Sequence, residues 1–161
     1  MIKSLMVFTD GSPGGNVATE YGVFLATRLK AHLAGCHVLD SRMLDGPLMA
    51  DISGWIGAQP YSGQLQQFRE LMQQKAEAIM AAFEQKASDA GIDADTSIKM
   101  GHPASVLLAE EAHAELVILG QNGEHAELTG DMIGSIVERV VRHSIKPCLV
   151  TPDHFQPITR I

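Results

Sequence analysis

The chain of 161 residues carries 12 basic and 19 acidic side chains, a net charge of −7 and 45% hydrophobic residues, enough to bury one core, and residues 1–161 are expected to form a single domain. An acidic chain with no run of Lys or Arg gains little from releasing counterions along a phosphate backbone, so no nucleic acid and no membrane surface is expected as a main partner. Any phosphate ligand must be held locally. The opening stretch, one Lys and a short apolar run before Asp10, reads as neither a signal peptide nor a membrane span, and the expected location is cytoplasmic.

In chain order, Leu5 to Thr9 reads as a buried strand, followed by a helix over residues 16–32 with Val17, Tyr21, Phe24, Leu25 and Leu29 on one face. Ala34 to Leu39 is the second strand. The stretch 41–63 is rich in Gly and Pro, holds the only Trp and lacks a long period, so it reads as an excursion that covers a ligand or partner, or patches the edge of the core. Residues 65–88 form a helix with Leu65, Phe68, Met72, Ile79 and Phe83 as its stripe and a Gln-rich solvated face. A strand from Asp95 to Met100 follows, then a helix opening at Pro103 and running to about His113. Leu116 to Gly120 is the fourth strand, Ile133, Ile136, Val137, Val140 and Val141 mark the last helix, and Pro147 to Thr151 is the last strand. Strands that are nearly continuous apolar runs are covered on both faces, which makes this a doubly wound α/β domain with a parallel sheet.

In such sheets ligands bind outside the carboxyl ends of the strands, where neighbouring connections leave in opposite directions. Two turns there carry chemistry. After the first strand, Thr9-Asp10-Gly11-Ser12-Pro13-Gly14-Gly15 combines a carboxylate, a hydroxyl and three glycines. Asp10 can accept bonds from a ligand's amine or hydroxyl or sit near a metal such as Mg²⁺, or else it and Ser12 tie down the turn's own amides. After the fourth strand, Gly120-Gln121-Asn122-Gly123 leads over ten residues to Gly134-Ser135 at a helix start. There, unpaired N–H groups and the positive end of the helix dipole can hold a phosphate that no Cβ obstructs, and Ser135 adds a hydroxyl. No Walker lysine and no dinucleotide fingerprint accompany it, so neutralisation falls to backbone dipoles and a divalent cation.

The remaining candidates carry less. His37, His102, His125 and His143 have no partner at metal or nucleophile–base spacing, so no firm metal site is assigned. His37 is expected to be packed or hydrogen-bonded, His102 to cap the helix at Pro103, and His143 to sit in a last helical turn. Arg139 and Arg142 read as a solvated face or dimer contact, and Cys36 and Cys148 as reduced, buried structural thiols. Ser12 and Ser135 lie in no nucleophile motif, and no residue is assigned as catalytic.

Asp10-Gly11-Ser12, His37-Val38, Gly101-x-Pro103, Gly120-x-x-Gly123, Gly134-Ser135 and the closing Glu138 to His143 and Lys146 to Val150 together resemble the universal stress protein family, over essentially the whole chain. The resemblance implies a Rossmann-like domain with five parallel strands ordered 3-2-1-4-5 and a homodimer through the last strand, 147–151. It places the chain in the family's ATP-binding branch. Carried over by position, Thr9, Asp10 and Val38 would line the adenine and ribose end with Leu119 nearby, Gly120 would approach the ribose, and Gly123, Gly134, Ser135 and Ile136 would hold the phosphates. The spacer from Glu124 to Ile133 is one residue longer than the family's usual nine and carries Glu124, Glu127 and Asp131. These carboxylates disfavour ATP relative to ADP or AMP unless they turn outward or help hold Mg²⁺. The expected function is thus an adenine-nucleotide-binding regulatory module of stress response, read by an unknown protein partner. The alternatives are a slow ATPase or phosphoryl-transfer enzyme and a nucleotide-free dimeric adaptor.

Overall fold

The computed structural model describes residues 2–45, 62–122 and 135–159. Its elements run β1 (Ser4–Phe8), α1 (Pro13–Leu29), β2 (His32–Asp40), the short α2 (Ser41–Asp45), α3 (Ser62–Asp89), β3 (Ala94–Gly101), α4 (Pro103–Glu110) with a 3₁₀ turn (Glu111–His113), β4 (Leu116–Gly120), α5 (Ser135–His143) and β5 (Cys148–Thr151). The five strands form one parallel sheet in the order β3-β2-β1-β4-β5. The excursion expected over 41–63 begins as α2 and ends in the first turn of α3, and residues 46–61, with Met49, Trp55, Ile56 and Tyr61, lie outside the described residues.

The two-residue period of a strand sends alternate side chains to opposite faces, and the sheet separates two cores on that basis. Leu5, Val7, Leu33 and Ile118 join Tyr21 and Leu25 of α1 and Met80 and Phe83 of α3 on one face. Met6, Phe8, Val117 and Leu119 join Ala104 and Leu107 of α4 and Val137 and Val140 of α5 on the other. The apolar runs are therefore buried on both sides, which is why they show no polar alternation. The Gln side of α3 faces solvent, with Gln66 and Gln73 donating to Glu70 and Glu77 one turn on.

Helix α1 starts three residues before the expected residue 16 and ends at Leu29, since the chain has already entered β2 by His32. Ser12 Oγ accepts from the Gly15 N–H at 3.1 Å and Pro13 occupies the first position, so a cap and a preset φ open the helix before its first core residue. Helix α4 also opens on a proline, but the expected cap is absent. His102 makes no side-chain capping bond, and its Nδ1 is buried without a partner. The preset φ of Pro103 suffices to start the helix there. Glu111, 4% exposed, accepts from the Ser144 hydroxyl and from the Ile145 N–H at 3.1 Å, and so fixes the turn between α5 and β5.

Beyond β5 the chain turns back along α1. Phe155 meets the rings of Tyr21 and Phe24 edge-on at 4.8 and 5.6 Å. The Gln156 N–H donates to the Tyr21 hydroxyl at 3.1 Å, and Arg28 Nη1 donates to the Ile158 carbonyl at 2.8 Å. This strap closes the first core beside α1 and β5.

Candidate functional site

The strand order places the switch point between β1 and β4, since the connection from β1 leads towards β2 and the connection from β4 towards β5. The turn after β1 and the residues leaving β4 meet there. A Cβ placed on Gly14 would lie 2.3 Å from the Asn122 carbonyl oxygen, and one on Gly120 would lie 2.6 Å from both C and O of Gly14. Two backbones thus touch where any side chain would separate them. Glycine at position 120 is required by this packing whether or not a ribose approaches.

Four amides of the β1–α1 turn and helix start are already paired. The Gly11 N–H donates to Thr9 Oγ1 at 3.3 Å and the Ser12 N–H to Asp10 Oδ1 at 3.0 Å. Gly15 donates to the Ser12 hydroxyl and Asn16 to the Ser12 carbonyl. Asp10 and Ser12 therefore tie down this turn, and α1 has few N–H groups left for an anion. A phosphate at the switch point has to look to the other helix start, α5, which opens at Ser135.

The remaining carried-over residues are placed as follows. Thr9 is buried, and its carbonyl oxygen lies 2.8 Å from His37 Nδ1. A carbonyl only accepts, so Nδ1 carries the proton, and β2 is clamped to the turn after β1. Val38 is half-buried and packs against the α4/α5 core, as does Ile136 near the start of α5. The Leu119 side chain lies inside that core, and its carbonyl accepts from the Thr151 hydroxyl at 3.3 Å. Leu119 thus offers its backbone, rather than its side chain, to the neighbourhood. Gly123, Gly134, the acidic spacer with His125, and the Ser135 hydroxyl lie outside the described residues.

Sequence reasoning passed over one residue that the fold brings forward. Asn122, second after β4, donates through Nδ2 to Asp153 Oδ1 of the strap at 3.2 Å, while its Oδ1 is buried with no partner. A buried acceptor without a donor costs about 1–3 kcal/mol. An orphaned acceptor suits a ligand that brings a hydroxyl or amine donor. No Lys or Arg stands between residues 4 and 27 or between 100 and 138, so no ammonium or guanidinium from β1, β4 or the turns that follow them can meet a phosphate. Among the described residues no group of three His, Cys, Asp or Glu side chains could hold a metal ion.

At the far side of the carboxyl edge, Arg42 donates to both oxygens of Asp40, at 2.9 Å from Nε and 2.5 Å from Nη2. This hydrogen bonding holds the Asp40 carboxyl below the usual carboxylate range. The basic side chains of the last helix that the sequence singles out are peripheral. Arg142 pairs with Glu138 at 2.7 Å on the exposed face of α5, and His143 Nδ1 lies 2.8 Å from the Arg139 carbonyl in its last turn. Both thiols are free, Cys36 buried and Cys148 only half-buried, because β5 is an edge strand with one side open.

A universal stress protein of Synechocystis sp. is 30% identical over 99% of this chain, and the chain spans about 58% of that relative's own length. Among solved structures, a universal stress protein in complex with cAMP matches with a TM-score of 0.60 at 19% identity, covering 95% of this chain and 98% of that one. An Arabidopsis thaliana universal stress protein family protein with AMP bound matches with a TM-score of 0.64 at 15% identity, covering 93% of this chain and 91% of that one. The sequence profile of the universal stress protein family matches residues 1–152. With this fold and a family profile that matches residues 1–152, the chain belongs to the universal stress protein family.

Proposed function

We propose that this chain binds an adenine nucleotide, ATP with Mg²⁺ or the corresponding di- or monophosphate, at the carboxyl ends of β1, β2 and β4. Binding changes a surface that a protein partner reads, in the cytoplasm and in response to stress. The observation that carries the reading is the backbone contact between Gly14 and Asn122 at the switch point. It brings the start of the Gly120-x-x-Gly123 motif against a helix start most of whose amides are already paired, leaving the Gly134-Ser135 end of the motif to serve the phosphates. Relatives of the same fold bind AMP and cAMP, which supports adenosine as the common element. The lack of nearby Lys and Arg favours the magnesium complex over the bare triphosphate.

Calorimetric titration of nucleotide-stripped protein with ATP, ADP and AMP, with and without Mg²⁺, tests this. The expected result is one site per chain, with ATP affinity falling at least about tenfold when Mg²⁺ is removed. Saturation at about 100 times the dissociation constant should add roughly 2.7 kcal/mol of stability, visible as a raised melting temperature. Absence of binding by all three nucleotides sinks the proposal and leaves the dimeric adaptor as the reading to pursue.

A further inference from the structure

We infer that Asn122 is a specificity-determining residue that reads a ribose hydroxyl of the bound nucleotide, and that Asp153 of the C-terminal strap positions it. The inference rests on the nucleotide reading above and adds to it which hydroxyl-bearing ligands the site accepts.

A primary amide has one acceptor end and one donor end, and what it reads depends on which end is already taken. In Asn122 the donor end is taken: Nδ2 donates to Asp153 Oδ1 at 3.2 Å. A carboxylate is only an acceptor, so the amide is held with Nδ2 towards the strap and Oδ1 turned away from it. That Oδ1 is buried and has no partner. The main chain of Asn122 is held as well, because its carbonyl oxygen abuts Gly14 at the switch point. The residue is thus an oriented acceptor that lacks a donor, two positions after β4.

A nucleotide brings two kinds of donor, its ribose hydroxyls and the adenine amine, and the deoxy forms below separate the first from the second. A ligand with the matching hydroxyl completes the bond, whereas one that lacks it leaves the acceptor buried and unpaired, which is the arrangement that discriminates best. The strap enters because Asp153 sets the amide's orientation. It is itself anchored two residues on by Phe155 against Tyr21 and Phe24. Loss of the carboxylate frees the amide to rotate and present either end.

The test compares the affinities of ATP, 2′-deoxy-ATP and 3′-deoxy-ATP for wild type, Asn122→Ala, Asp153→Ala and Asp153→Asn, each checked by circular dichroism for an unchanged melting profile. Wild type should prefer ATP over one of the two deoxy forms by about tenfold. Asn122→Ala should bind ATP and that deoxy form equally. Asp153→Ala should lose most of the preference, and Asp153→Asn, whose side-chain carbonyl still accepts from Nδ2, should keep it. That rescue separates positioning from mere support of the fold. If Asn122→Ala does not fold, the Asp153 pair decides. Equal binding of all three nucleotides by wild type, or a preference that survives Asn122→Ala, overturns the inference while leaving the nucleotide site intact. Failure of wild type to bind any of them overturns the nucleotide reading and this inference with it.

Discussion

At the scale of single residues, absent or buried atoms decide most. Gly14 and Gly120 are held by backbone contacts closer than any Cβ permits, so Gly14→Ala should destabilise the fold by about 2 kcal/mol or more in chemical denaturation. Gly91, with φ +72° and open space around it, is the control: Asn there should cost well under about 1 kcal/mol, since Asn tolerates the left-handed region. The two thiols should also differ. Burial pushes the Cys36 thiol up, against a smaller lowering by its hydrogen bond with Ser97. A thiol reagent at mildly alkaline pH should therefore label the half-buried Cys148 first and reach Cys36 only on unfolding. The linkage has a definite sign. A raised thiol pKa contributes stability below the ordinary thiol range and loses it as pH climbs towards the folded value, so Cys36→Ser should flatten the alkaline side of the stability profile.

At the scale of elements, the C-terminal strap does what a further helix would do in a larger domain. It covers the first core beside β5 through Phe155 and Ile158, and it reaches the candidate site through Asp153. Phe155→Ala removes two edge-on ring contacts and partly buried apolar area, and should cost about 2 kcal/mol in urea denaturation. An unchanged denaturation midpoint would mean that the strap is dispensable to the core. Helix α1 illustrates how local and tertiary requirements combine. Ser12 and Pro13 start it on local grounds, and Gly14 then lies in its first turn because another backbone must touch it there.

At the scale of the whole molecule, the two sheet edges differ. The edge at β3 carries Asp95 and Lys99, paired with His32 and Glu110, the charged dressing that discourages strand addition. The edge at β5 reads Cys148-Leu149-Val150-Thr151 with no charge, and Ile145 just before it is 85% exposed. The carbonyls of Pro147 and Thr151 accept from Val117 of β4 and from Gln121 just beyond it, so by the two-residue period Cys148 and Val150 turn their N–H groups outward. We predict a homodimer through this edge. Sedimentation at micromolar concentration should show a dimer for wild type and a monomer for Val150→Pro, whose lost N–H faces the open side rather than β4. A monomeric wild type would remove the dimer from the proposal.

Much of this was legible from neighbouring residues alone. Apolar runs bounded by turn residues marked four of the five strands, β3 being more polar, stripes at helical spacing marked α1, α3 and α5, Pro103 marked α4, and the turns after β1 and β4 were identified as the places to look, whereas the short α2 was missed. These signals survive without tertiary structure because each is set within a few residues. Periods of two and 3.6 are local, and so are a serine cap and a proline at a helix start. The tertiary structure alone decided what those turns do. It paired Gly120 with Gly14, clamped Thr9 to His37, folded Phe155 onto Tyr21, and joined Asn122 to Asp153 while leaving its acceptor unmet. Each of these joins residues far apart in sequence, and a period or a cap carries no record of a partner that only chain folding brings into contact.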